Sequence, residues 1–281
     1  MSGRPPTFPA SGPGLVQAPA LAQGMRRRIV ADVERLKVSS ACRLAGVEML
    51  QRMLRVGSSR RTAMLVPATD GFRAVIDPQL WDDARRDVDA RRKLRFVLAH
   101  ELGHTFFYER GAPPRRTHPA DRREESFCNR FATSLLVPPD VAATTDVDLE
   151  ALTSLTHDYD VSLPVAARAV ADAQPGLTVL MLRRGPHPHR GGQETMRTVW
   201  GVSRRFIARG ESFKSPLADL APGEHGAASE VLLLSGRRRP VDLQAWHLET
   251  GMLAVVRERS AASHAAPCEQ CAQGQLMLFA S

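Results

Sequence analysis

His100-Glu101-Leu102-Gly103-His104 is the stretch of this chain whose residue types and spacing could do chemistry. Two histidines four apart share a helix face, so both imidazoles can reach one ion. Glu101 stands beside the first histidine, off the ion, where a carboxylate can take a proton from a metal-bound water. These are the parts of a zinc-type peptidase: His100 and His104 as metal ligands, Glu101 as the catalytic general base. The plainer alternative is a solvated helix face that happens to carry the three residues. The flanking pattern argues against it. Leu94, Val97, Leu98, Leu102 and Phe106 recur every three or four residues, a buried helical stripe over 89–108 that Asp87 or Asp89 can cap. Gly103 costs about 1 kcal/mol relative to Ala inside such a helix, so its presence points to a close approach by another backbone or by the metal site.

Two histidines leave a catalytic metal site one protein ligand short. The next helix, expected over 121–137, carries Phe127, Phe131 and Leu135 at spacings of four and is stopped by Pro138-Pro139. Glu125 and Asn129 share one of its faces. Glu125 can be the third ligand, and Asn129 can hydrogen-bond a ligand from behind. Glu124 is the rival donor, although its face leaves Asn129 without a role. An exposed Glu125 paired with Arg122 or Arg123 is the ordinary reading of such an acid.

These two blocks together resemble the ImmA/IrrE metallopeptidases. That family shows an H-E-x-x-H helix, then E-x-x-A-N-x-F-A and a closing L-L-x-P. Here the second block reads Glu125-Ser126-Phe127-Cys128-Asn129-Arg130-Phe131-Ala132, followed by Leu135-Leu136-Val137-Pro138. The resemblance extends over roughly 25–173. The Pro-rich start and the long C-terminal region are most similar to the radiation-response branch of the family. It implies a small zincin-like metallopeptidase domain, one divalent ion, Zn(II) or Mn(II), and cleavage of an XRE-type helix-turn-helix repressor in a DNA-damage response. It also implies that the C-terminal region is similar to GAF sensor domains and takes a small-molecule or other signal. Two departures stand out. Cys128 replaces the usual Ala, a small-for-small exchange. Tyr108 replaces a common His; it could donate to a reaction intermediate, although a core tyrosine is the plainer reading.

The elements around the site follow from punctuation. Residues 1–24, rich in Pro, Gly and Ala, read as a disordered leader. Helices are expected over 25–38 and 41–54, then a hairpin of Thr62–Val66 and Phe72–Asp77 around Thr69-Asp70-Gly71. As an edge strand, that hairpin could bind extended substrate by main-chain hydrogen bonds. The metallopeptidase domain is placed at 25–140. Residues 141–174 form a helix-turn-helix-like region with a turn at Tyr159–Ser162. Its acids Asp146, Asp148, Glu150, Asp158 and Asp160 would repel phosphate, so a scaffold or a dock for the protein substrate fits better than DNA. Beyond Pro175-Gly176 strand-like runs at 177–182, 195–202, 231–234, 252–258 and 275–279, with a weak helix near 204–220, predict an α+β domain with a central antiparallel sheet over 175–281. The fold class is therefore α+β throughout.

Composition bounds the partners. The chain has 281 residues and a formal net charge of +8, which favours acidic partners, DNA among them. Only Lys37, Lys93 and Lys214 are lysines, and the arginines are scattered in pairs and triplets with no dominant strip. No apolar run of transmembrane length and no signal peptide is visible. The four cysteines suit a reducing compartment, and a cytoplasmic protein is expected. Cys268-x-x-Cys271 lacks the second pair a structural zinc site needs, leaving a redox pair or two inert thiols. His187, His189, His225 and His247 are isolated loop histidines. Two functional readings remain: a site-specific metallopeptidase acting on a repressor, and a non-enzymatic DNA-binding or sensor regulator with a structural metal.

Overall fold

The structure, a computed structural model, describes residues 13–30, 35–53, 55–56, 59–60, 62–109, 111, 113–117, 122–186, 194–203, 212–213, 216–234, 237–249 and 251–259. It is an α+β chain that divides into two compact units, Met1–Ala142 with Ser154–Ala169, and Ala143–Thr153 with Val170–Ser281. Cys268, Cys271, His187, His189 and the strand expected at 275–279 lie outside the described residues.

The first unit begins with α1 (Ala18–Arg27), which packs on α5 (Arg122–Leu136) through Ala18, Ala22 and the buried Arg26. Arg26 Nη1 donates to the Leu135 carbonyl at 3.1 Å. The leader expected over 1–24 therefore gives way to helix from Ala18, because small alanines let the segment seat against α5. α2 (Val38–Ala45) ends at Gly46, whose φ of 71° is the left-handed stop that glycine takes without strain. The helix expected over 41–54 is thereby cut short. The chain continues as β1 (Val47–Gln51), which pairs in parallel with the later strand Gly71–Ile76, residue Val47 opposite Phe72. After a two-stranded ribbon of β2 (Arg55–Val56) and β3 (Ser59–Arg60), the hairpin appears as expected: β4 (Ala63–Ala68) and β5 (Gly71–Ile76), antiparallel, with Leu65 opposite Ala74. The sheet order is β1-β5-β4, which leaves β4 at an edge.

α3 (Pro78–Asp83) leads into α4 (Val88–His104), where the Asp87 side chain caps the start by accepting from the Ala90 N–H at 2.6 Å. α4 lies against β4, α2 and α5. A 3-10 turn, Thr105–Phe107, and a short ribbon of β6 (Tyr108–Glu109) and β7 (Arg115–Arg116) join it to α5. The core between α4 and α5 is aromatic. Phe127 and Phe131 are fully buried, and Phe106 meets them edge-on at 5.9 and 5.1 Å. This packing fixes the rotation of α5 about its axis, and with it the direction of Glu124, Glu125 and Asn129.

α6 (Pro139–Thr144), α7 (Leu149–Asp158) and α8 (Leu163–Ala173) follow. Asp160, in the turn between α7 and α8, has φ 49° and is 2 % exposed. Arg91 grips its carboxylate at 3.0 and 3.1 Å, Arg35 adds a further ion pair, and Arg92 and Arg95 lie at 3.5 and 3.6 Å. The phosphate-repelling character expected of this turn thus loses one of its acids, since four guanidinium groups surround Asp160. Asp148 is engaged too, accepting from the Ala151 N–H at the start of α7.

The second unit is a six-stranded antiparallel sheet, β8 (Leu177–Pro186), β9 (Glu194–Ser203), β10 (Ser212–Phe213), β11 (His225–Leu234), β12 (Arg237–Leu248) and β13 (Gly251–Glu258), in the order β10-β9-β8-β13-β12-β11. One face buries Leu180, Leu182, Leu243, Ala245, Met252 and Ala254. The weak helix expected near 204–220 is, among the described residues, β10 and a 3-10 turn at Pro216–Asp219. β12 was not anticipated. Its alternation of buried Val241, Leu243 and Ala245 with exposed Asp242 and Gln244 is strand-like, but the arginine triplet and Pro240 at its start read as a loop. His225 is exposed on β11, and His247 Nδ1 is 2.6 Å from the Leu220 carbonyl, a local turn contact.

Candidate metal centre

α4 and α5 meet where Gly103 faces Cys128. A Cβ on Gly103 would lie 2.9 Å from the Cys128 Cα, so only glycine lets the two helices approach this closely at that level. The approach brings the last turn of α4 against the first turns of α5. His100 and His104 stack edge to face with ring centroids 5.0 Å apart, and their Nε2 atoms are separated by 3.2 Å. The Glu125 carboxylate reaches the same point from α5, 3.3 Å from His100 Nε2 and 3.9 Å from His104 Nε2.

Both rings are held from behind. Asn129 Oδ1 lies 3.0 Å from His100 Nδ1, and Glu124 Oε1 lies 2.6 Å from His104 Nδ1. Each of these oxygens is placed to accept from a ring Nδ1–H, and the two Nε2 atoms turn inward. Two imidazole Nε2 atoms and a carboxylate then converge. A divalent cation satisfies all three. Ligand atoms bonded at 2.0–2.1 Å to a tetrahedral ion lie roughly 3.3 Å apart; the 3.2 and 3.3 Å separations match this, and the 3.9 Å from His104 to Glu125 is wider. The donor set therefore fits such an ion.

His100, His104 and Cys128 also form a group whose ligand atoms lie within 4.8 Å of one another and could hold a metal. Burial, reinforced by Glu124, Glu125 and Glu101, pushes the Cys128 thiol well above its ordinary range. Cys128 is fully buried and packs against Gly103, in keeping with a small residue at a tight helix contact.

Glu101 is buried on the side of α4 that faces the hairpin. Its Oε2 accepts from the Leu65 N–H of β4 at 2.7 Å, which leaves Oε1 as the second carboxylate oxygen. Tyr108 is buried edge-on against Phe72 at 5.3 Å, and its hydroxyl accepts from Arg116 Nη1 at 3.1 Å. Arg116 in turn pairs with Glu124, so the link from Tyr108 to His104 runs through two other side chains.

His100, His104, Glu125 and Asn129 are thus brought together, while Glu101 engages the hairpin and Tyr108 lies behind Arg116 and Glu124. The roles of Glu124, Arg116 and the Leu65 N–H were missed. Glu124 was weighed only as a competitor of Glu125, whereas the helix rotation gives the two neighbouring acids different histidine nitrogens. The only signal for this was the adjacent pair Glu124-Glu125 itself.

No protein-family model matches the chain, and no curated protein matches it in sequence. Among solved structures, a Mycobacterium tuberculosis transcriptional regulator is similar with a TM-score of 0.42 and 10 % identity, covering 88 % of this chain and 77 % of that one. At that level of likeness no chemistry passes from one chain to the other. No helix among the described residues is long and apolar enough to cross a membrane.

Proposed function

We propose that the chain is a metal-dependent endopeptidase of the ImmA/IrrE type, with His100, His104 and Glu125 as ligands of one Zn(II) or Mn(II) and Glu101 as general base. The observation that carries this reading is the convergence of two Nε2 atoms and the Glu125 carboxylate, with the Glu101 carboxylate on the same helix. Bound there, the ion supplies Lewis acidity for activating water and polarising a peptide carbonyl. The chain's own residues do the rest. Asn129 and Glu124 hold the rings so that Nε2 faces inward. The Leu65 N–H fixes one oxygen of Glu101, leaving the other to take a proton from water and return it to the leaving amine. β4, as an edge strand, offers main-chain groups to an extended substrate.

By its resemblance to the family, the substrate is an XRE-type helix-turn-helix repressor, cut in response to DNA damage. The antiparallel sheet of the second unit suits a GAF-like sensor of a small-molecule signal. The experiment mixes the purified full chain with an XRE-type repressor from the same cell, loaded separately with Zn(II) and Mn(II), and compares wild type with Glu101→Gln on a gel. A discrete cut is expected from wild type, and a rate lower by about 10²–10⁴ from the variant. Metal-loaded wild type that leaves the repressor intact would defeat the assignment in favour of a structural metal in a regulator.

A further inference from the structure

The two histidines are supported unequally. Behind His100 stands a neutral amide, Asn129. Behind His104 stands the Glu124 carboxylate, 3 % exposed, which burial makes costly unless a charge compensates it. Arg116 of β7 provides that charge. One arm of its guanidinium binds Glu124 Oε2 and the other donates to the Tyr108 hydroxyl of β6 at 3.1 Å, while the group sits 5.3 Å over the Tyr108 ring. The planar fork of arginine serves both partners at once, which a lysine does not do. Tyr108 is itself anchored on Phe72 of β5. A continuous set of contacts therefore runs from the sheet through the β6–β7 ribbon to the ring of one ligand.

We propose that Arg116 is a positioning residue for the metal centre. By holding Glu124 in place, it fixes the Nδ1–H form and the orientation of His104, and so makes retention of the ion depend on the β6–β7 ribbon. This rests on the reading of His100, His104 and Glu125 as an ion site. Glu124 keeps one oxygen on Arg116 and one on His104. Removing Arg116 takes away the ion pair that draws the carboxylate into this position, and His104 then turns more readily or moves its proton to Nε2, where it blocks the ligand position.

The test uses the full chain labelled with ¹⁵N at histidine. Long-range ¹H–¹⁵N correlation of the metal-free protein reads the tautomer of each ring, and chelator competition reads zinc affinity. In wild type His104 is expected as the single Nδ1–H form. Arg116→Met is expected to mix the tautomers of His104, leave those of His100 unchanged, and lower zinc affinity roughly tenfold to a hundredfold. Arg116→Lys, which restores the charge without the fork, should recover part of that loss. If Arg116→Met does not fold, as judged by near-ultraviolet circular dichroism, Glu124→Gln decides. The amide keeps an acceptor for Nδ1–H but loses the ion pair, and the same direction of change is expected. Wild-type tautomers and wild-type affinity in the folded variant overturn the proposal. Failure of wild type itself to bind zinc would instead overturn the ion site, while the tautomer spectra still decide what Arg116 does to His104.

Discussion

In its N-terminal half α4 presents Arg91, Arg92 and Arg95 to the buried carboxylate of Asp160; toward its C-terminal end it presents His100 and His104 to Glu125 and to each other. Both are clusters of polar groups gathered between α4 and its neighbours, each with some members buried and others reaching solvent. In the first, the acceptors find their donors within the protein. Arg91 takes both Asp160 oxygens, Arg95 donates to the Tyr159 and Asp160 carbonyls, and Arg92 donates to the Thr156 carbonyl, so the carboxylate and the end of α7 are satisfied together. In the second, His100, His104 and Glu125 face one another as the group proposed to hold a cation. One helix thus carries a cluster that closes the fold and a cluster that waits on a guest, and the difference lies in whether donors were supplied from the chain.

If that contrast holds, the largest stability change comes from the closed cluster. Asp160→Asn removes the charge four arginines surround and should destabilise the fold by about 1.5–3 kcal/mol, the range for hydrogen bonds to a charged group, because Arg35 and Arg91 stay half exposed. Asp160→Ala should lose more, since alanine tolerates the left-handed φ of 49° poorly. Urea unfolding measures both. Burial pushes the Asp160 carboxyl up, but the Arg91 hydrogen bond and the Arg35 and Arg95 charges outweigh it and hold it below the usual range. A depressed carboxylate stabilises fully above its unfolded pKa of about 3.9 and ceases to do so as pH falls through the folded value. The gap between wild type and Asp160→Asn should therefore close in acid. A gap of constant size down to pH 2 would mean that the arginines do not act through this charge.

The guest-dependent cluster should answer to metal instead. Zinc at a hundred times its Kd should raise stability by about 2.7 kcal/mol, reversed by chelator. Asp160→Asn should gain the same increment and His104→Ala none. An Asp160→Asn protein that no longer responds to zinc would show that the halves of α4 are one device. A smaller effect belongs to the seam between them and α5. Gly103→Ala sets a methyl 2.9 Å from the Cys128 backbone, which cannot fold away like a side chain, and should cost about 1–3 kcal/mol. Cys128→Ala in the same protein should restore little, because the clash is with the Cα.

The two clusters also differ in how far they could be read in advance. His100 and His104 share a face by spacing within one helix, and Glu125 and Asn129 by spacing within the next, whereas Glu101 was read from its place in the H-E-x-x-H string. The Asp160 cluster joins α4, the segment before α2 and the turn after α7, and no period relates Arg35, Arg91 and Asp160. Partners across helices depend on rotation set by core packing, as when Phe127 and Phe131 turn Glu124 toward His104. Elements failed where a terminator overrode composition. Met49, Leu50 and Gln51 look helical, yet Gly46 had already ended the helix and left them to pair with β5. The hairpin and the α4 stripe were plain because a turn signal or a cap agreed with the period.

The smallest effect tests whether the centre is supported as unevenly as its geometry indicates. Asn129 gives His100 a neutral hydrogen bond at 3.0 Å, whereas Glu124 gives His104 a charged one at 2.6 Å, and charge-assisted bonds are about twice as strong. Asn129→Ala should therefore weaken zinc binding by roughly tenfold, the lower end for groups behind a ligand, or about 1.4 kcal/mol. Glu124→Ala should lie toward a hundredfold. Asn129→Asp places a carboxylate behind both rings and should tighten the site, since an anionic acceptor makes Nε2 a stronger donor to the ion. Chelator competition on the three variants ranks them. Equal losses for Asn129→Ala and Glu124→Ala would mean that ring orientation alone matters and that the charge brought by Arg116 and Glu124 adds nothing to the hold on the ion.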